Sequence, residues 1–164
     1  MALSNLKDVY VDQLQDVYSA NRQALGATQA LAAAAHHPEL KEALDRGVTG
    51  IREGMTAIEG LVKENNADPR GEFCKGMEGI VAEVKAHVLD ANFDDADAKD
   101  AMIITQYQRM AHYGIAGYGC CTAFARRLGL DGQADKLQDC LDATYHGDKE
   151  MTAIALGEIN RAAA

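Results

Sequence analysis

The residues of this chain that could do chemistry are scattered. His112-Tyr113, His146, Asp148 and the pair His36-His37 are the imidazole and carboxylate candidates, and Cys74, Cys120, Cys121 and Cys140 are the thiols. A histidine and an aspartate facing one another could move a proton or hold a cation. His146 lies two residues before Asp148, however, so on a helix the two point to different faces. A lone histidine on an inward face is more often hydrogen-bonded packing than a ligand. The thiols show no Cys-x-x-Cys spacing and read as reduced, packed residues. Cys120 and Cys121 project about 100° apart on a helix and cannot jointly address one site. The acidic run Asp94, Asp95, Asp97 lacks the glycine and distal glutamate of a calcium loop and reads as a solvated helix start. His36-His37 reads as a surface cap at a helix end.

These candidates need elements to position them, and the apolar pattern supplies only helices. Leu6, Val9, Tyr10, Leu14, Val17, Tyr18, Leu25 and Ala32 recur at three- and four-residue spacing, which predicts a first helix from Ser4, as N-cap, to about Ala35. Pro38 opens a second helix with the stripe Leu40, Leu44, Val48, Ile51, Met55, Ile58, Val62. The stretch Asn65 to Gly71 stops it. A short helix of about Glu72 to Leu89 reads as a connection across the others. Long helices of about Ala96 to Leu128 and Gln133 to Asn160 follow, joined by the turn Gly129 to Gly132. No segment alternates as a strand would. The fold class is all-α: an antiparallel four-helix bundle with an additional short helix in the crossover, in one domain spanning 1–164.

Glycine recurs inside these helices, at Gly47, Gly50, Gly54 and Gly60 in the second and Gly114, Gly117 and Gly119 in the third long helix after the crossover. Each costs about 0.5–1 kcal/mol relative to alanine, so the cluster requires a reason, either close backbone approach or room for a guest. The Ala30 to Ala35 tract suits close packing of helices.

At 164 residues the chain can bury a core without a metal or disulfide to hold it. A net charge of −9 argues against a phosphate-backbone partner, so nucleic acid is not expected. No apolar run reaches membrane-spanning length and the start, MALSNLKDVY, has no secretory pattern. The expectation is a protein of the cytoplasm that engages no membrane.

The segments Asp16 to Gln23, Cys74 to Ile80 and His112 to Gly119 resemble the YciF/YciE-type bacterial stress-response family, in order and with matching spacing over nearly the whole chain. The resemblance implies a ferritin-like bundle, a homodimer, and in typical members a carboxylate-bridged dinuclear iron centre. It also implies where the ligands should stand. The first-helix Glu falls on Asn21, the second-helix Glu-x-x-His on Thr49 and Arg52, the Glu residues around His-Tyr on Ala111 and Gly114, and the last-helix Glu on Thr144, with Asp148 matching a family Asp one turn later. Two multivalent cations need anionic donors, and Arg52 supplies a guanidinium without a lone pair. The expected state is therefore a metal-free, noncatalytic stress-response-type protein with no cofactor and no metal ligand.

What fills the vacated centre is open at this level. Tyr18, Met55, Tyr107, Met110 and Tyr118 could repack inward. Alternatively the space stays open for a small-molecule ligand, with Asn21, Arg52, Tyr107, His112 and Asp148 as its polar groups, and His112 or Asp148 as the proton-transfer group of a cofactor-independent enzyme. Substitute metal ligands, Glu53, His112, His146 and Asp148, form a third reading. Arg52 is expected either to pair with Asp148 in the interior or to reach solvent beside Glu53 or Glu59.

Overall fold

The computed structural model describes residues 3–164. Five helices account for the described chain: α1 (Leu6–Ala34), α2 (Pro38–Glu64), α3 (Lys75–Val84), α4 (Ala96–Arg127) and α5 (Asp131–Ile154). Two of them run on through wider π-type turns, α3 through Lys85–Leu89 and α5 through Ala155–Ile159 into a last turn, Asn160–Ala162. No described helix is long and apolar enough to cross a membrane.

The helix ends follow their capping chemistry. Asn5, not Ser4, caps α1: its side chain accepts from the Asp8 amide at 3.0 Å, while the Ser4 amide donates to the Asp8 carboxylate. Pro38 opens α2 as expected. The Ala35–His37 connection is tied down by Asp100, fully buried on α4, whose two oxygens accept the His36 and His37 amides at 2.9 and 2.7 Å. Those two amides compensate a charge that would otherwise be costly to bury. Asn66 takes the left-handed conformation that ends α2, and Gly129 takes it between α4 and α5. Asp95 caps α4 through the Asp97 amide, so the acidic run is a helix start.

The four long helices close a ring in which α1 packs on α2 and α4, and α5 packs on α4 and α2. The short α3 lies against α1 and α4. It begins three residues later than its apolar stripe suggests, because Cys74 serves as its cap: the Sγ accepts the Met77 amide at 3.3 Å.

Inside the ring the apolar core is in two parts. One holds Leu31, Leu40, Leu44, Met77, Ile103, Met110 and Met151; the other holds Tyr10, Leu14, Val17, Ile58, Leu61, Cys121 and Leu137. Leucines and isoleucines buried this completely contribute roughly 1.5–3 kcal/mol each, so each part is a substantial anchor. Between the parts all four helices carry small or polar residues at one level: Asn21 on α1, Gly47, Gly50 and Gly54 on α2, Ala111 and Gly114 on α4, Thr144 and Gly147 on α5.

Candidate functional site

That level of the ring is hollow. A cavity of about 1000 Å³ lies between the two core parts and opens through the seam between α2 and α5. Glycines make it possible from two directions. A side chain at Gly54 would strike the Tyr118 hydroxyl, and one at Gly47 would come within 2.7 Å of the Tyr107 hydroxyl, so these two glycines seat the tyrosines. Gly50 has nothing within 4 Å of where its Cβ would stand and simply leaves space.

The inner wall is apolar with a few polar groups. Asn21 donates to the Tyr118 hydroxyl at 2.6 Å, and the Thr144 hydroxyl is turned back onto the Cys140 carbonyl of its own helix at 2.7 Å. Thr28 is fully buried on the wall and its hydroxyl has no partner among the described residues. A buried hydroxyl without a partner costs about 1–3 kcal/mol. Burial pushes the Tyr107 hydroxyl up to about 12, with Glu150 and then Asp148 adding to the effect. Tyr118 is raised chiefly by burial as well.

The mouth carries charge. Arg46 on α2 reaches across the seam to Glu150 on α5 at 2.6 Å. Glu42, Asp45, Glu53, Asp139 and Lys136 stand around the same opening, and Lys136 is turned away to Glu64 at 3.0 Å.

Of the five ligand-binding residues expected from sequence, the structure brings Asn21 and Tyr107 into the cavity and leaves three outside. Arg52 is exposed, in a shallow groove on the outer α1–α2 flank with Gln29, Lys41 and Asp45, and joins no ion pair with Asp148, Glu53 or Glu59. The α2 positions that face inward are Leu44, Gly47, Ile51, Gly54 and Ile58, and one residue past Ile51 turns the side chain about 100° away. Asp148 pairs instead with His112, 3.1 Å between carboxylate and Nε2, and accepts from Gln108 at 3.1 Å, all on the outer side of the α4–α5 interface. His112 is 64% exposed there, so it is not a core residue. Glu53 and His146 reach the mouth, but His112 and Asp148 do not join them.

The positions at which ligands were expected fare better as a group. Asn21, Thr49, Ala111, Gly114 and Thr144 all line the cavity, Thr49 at its exposed rim, and Arg52 and Asp148 do not. Tyr107, Met110 and Tyr118 do turn inward, as repacking required, yet they leave the space open. Sequence reasoning missed Thr28, whose signal was only its inward position on the α1 stripe.

The motif segments have a different task. Tyr113 donates to Asp16 at 2.9 Å and accepts from the Cys74 thiol at 2.9 Å; the Cys74 amide donates to Ser19 and the Gln23 side chain to the Cys74 carbonyl. Gly76 leaves room for the Tyr113 ring. Residues from all three segments thus clamp the start of α3 onto α1 and α4. Tyr113 is committed to this clamp.

A family model described as "Domain of unknown function (DUF892)" matches residues 5–164. Protein YciF of Escherichia coli (strain K12) is 28% identical over 164 residues, covering 99% of this chain and 98% of that protein. The crystal structure of the E. coli stress protein YciF superposes with a TM-score of 0.89 over 96% of this chain and 99% of that one. YcfI from Rhodopseudomonas palustris gives 0.85 at 23% identity, covering 91% and 94%, and a protein of Xanthomonas campestris pv. campestris gives 0.69 at 19%, covering 96% and 98%; these two show the fold alone.

Proposed function

Because this chain belongs to the DUF892 family and is similar to the stress protein YciF, we propose that it is a single-domain ferritin-like bundle of the stress-response type in which a small-molecule chamber stands where the family resemblance implies a metal centre. The chamber binds and does not catalyse. The observation that carries this reading is the cavity between the two core parts, walled by the positions at which ligands would be expected.

The donor set argues against a dinuclear iron centre. The inner wall offers an amide, hydroxyls and the Cys140 thiol, and the carboxylates stand only at the mouth. Among the described residues, three ligand-type side chains come within reach of one cation only at His36, Asp97 and Asp100, beside the α1–α2 connection and not on the cavity wall. Hard cations require several anionic oxygens at once, and this wall does not supply them. The catalytic alternative is weakened on similar ground, since its two proton-transfer candidates, His112 and Asp148, lie outside the cavity.

A chamber this size suits a drug-sized organic molecule. Titration with naphthalene should give saturable one-to-one binding that Gly50→Leu abolishes while the variant stays folded. Absence of binding to the unaltered protein would refute the chamber. Stoichiometric iron or manganese retained after purification would refute its metal-free character.

A further inference from the structure

The charge at the mouth narrows what the chamber accepts. Five carboxylates, Glu42, Asp45, Glu53, Asp139 and Glu150, surround the opening against two fixed cations, Arg46 and Lys136. Both cations are already engaged, Arg46 by Glu150 and Lys136 by Glu64, which lies off the cavity wall. Glu53 on α2 and Asp139 on α5 enter no ion pair among the described residues and stand on opposite sides of the seam. The interior behind them is apolar, with Tyr107 and Tyr118 on the wall and the unpartnered Thr28 hydroxyl at depth.

We propose that the chamber selects organic cations, an apolar body held between the two core parts with an ammonium group left at the α2–α5 mouth between Glu53 and Asp139. This rests on the chamber itself being a binding site.

One physical effect permits a charge here and another selects its sign. A charge sitting at the mouth keeps part of its hydration, so the desolvation that would forbid an ion at depth is largely avoided. The carboxylates favour a cation across a partly low-dielectric boundary, where they are worth more than in bulk water. The negative field already reaches inward: the Cys140 thiol is raised by burial first and then by Asp139 and Glu53. An anion would meet the same carboxylates unfavourably, with no free guanidinium or ammonium to receive it.

The test uses three probes sharing one apolar body: 1-naphthylmethylamine, 1-naphthalenemethanol and 1-naphthoate, titrated calorimetrically at neutral pH and low salt. The cation should bind at least tenfold more tightly than the anion, with the alcohol between, and added salt should compress the order. In the double variant Glu53→Gln/Asp139→Asn, both positions being exposed, the amine should fall to the affinity of the alcohol and the alcohol should be unchanged. Equal binding of all three probes, or tightest binding of the naphthoate, overturns the charge selection and leaves the chamber standing. Failure of every probe to bind overturns both.

Discussion

Asn21 on α1 donates a 2.6 Å hydrogen bond to the Tyr118 hydroxyl on α4, at a level where Gly54 of α2 offers no side chain to obstruct it. Family resemblance assigns that α1 position to an anionic ligand, and here it carries a neutral amide that fixes one wall of a cavity. The pair is buried, so its loss should be measurable. Asn21→Ala removes this hydrogen bond and should lower stability by about 0.5–1.5 kcal/mol in urea unfolding. Adding Tyr118→Phe should then cost less than it does alone, the signature of a coupled pair.

Two glycines one helical turn apart should respond in opposite directions. At Gly54 an added methyl meets the Tyr118 hydroxyl, so Gly54→Ala should lose about 1–3 kcal/mol to overpacking. At Gly50 the space is open, so Gly50→Leu should gain about 0.5–1 kcal/mol from backbone restriction. Thermal midpoints of the two variants moving the same way would contradict the assignment of seat and void.

Arg52 tests the outward turn of its position. Its guanidinium is exposed and in no ion pair among the described residues, so Arg52→Ala should change stability by no more than about 0.5 kcal/mol. A loss of several kcal/mol would mean that the side chain is buried against a carboxylate after all.

Alkaline pH gives a signed prediction. The Tyr107 hydroxyl titrates near 12 in the folded chain against 10.0 as a free group. A raised value means the unfolded chain releases this proton first, so the contribution is intact below pH 10 and is lost as pH rises toward 12. Within that window Tyr107 should add up to about 1.4 kcal/mol per pH unit to the falling stability. Tyr107→Phe should flatten the decline by that amount and change little at neutral pH, since the hydroxyl has no partner among the described residues. Urea midpoints taken at several pH values would reveal an unaltered slope if the residue were solvated.

Much of the architecture was readable because it is local. Apolar spacing marked every helix, Pro38 and the Asn65 to Gly71 stop fixed two boundaries, and the acidic run Asp94, Asp95, Asp97 was legible as a helix start. Small errors arose where neighbouring residues compete for one role, as Asn5 displaced Ser4 and Cys74 delayed the start of α3. Of the five candidate site residues, two stand on the cavity wall. Asn21 and Tyr107 sit on helices whose inward phase is set by adjacent large residues. Arg52 was placed inward by the family resemblance, although the α2 stripe runs through Ile51, and one position past it is a rotation of about 100°.

The amino-acid order alone determined that long amphipathic helices form, that they bury one face each, and that Asn21, Thr49, Ala111, Gly114 and Thr144 bring no carboxylate to their level. Whether the space so released collapses or stays open was decided only in the tertiary structure. Cavity volume depends on how four helices are spaced at one level, and that spacing is set at a distance, by the two apolar core parts on either side and by Tyr107 and Tyr118 standing against Gly47 and Gly54.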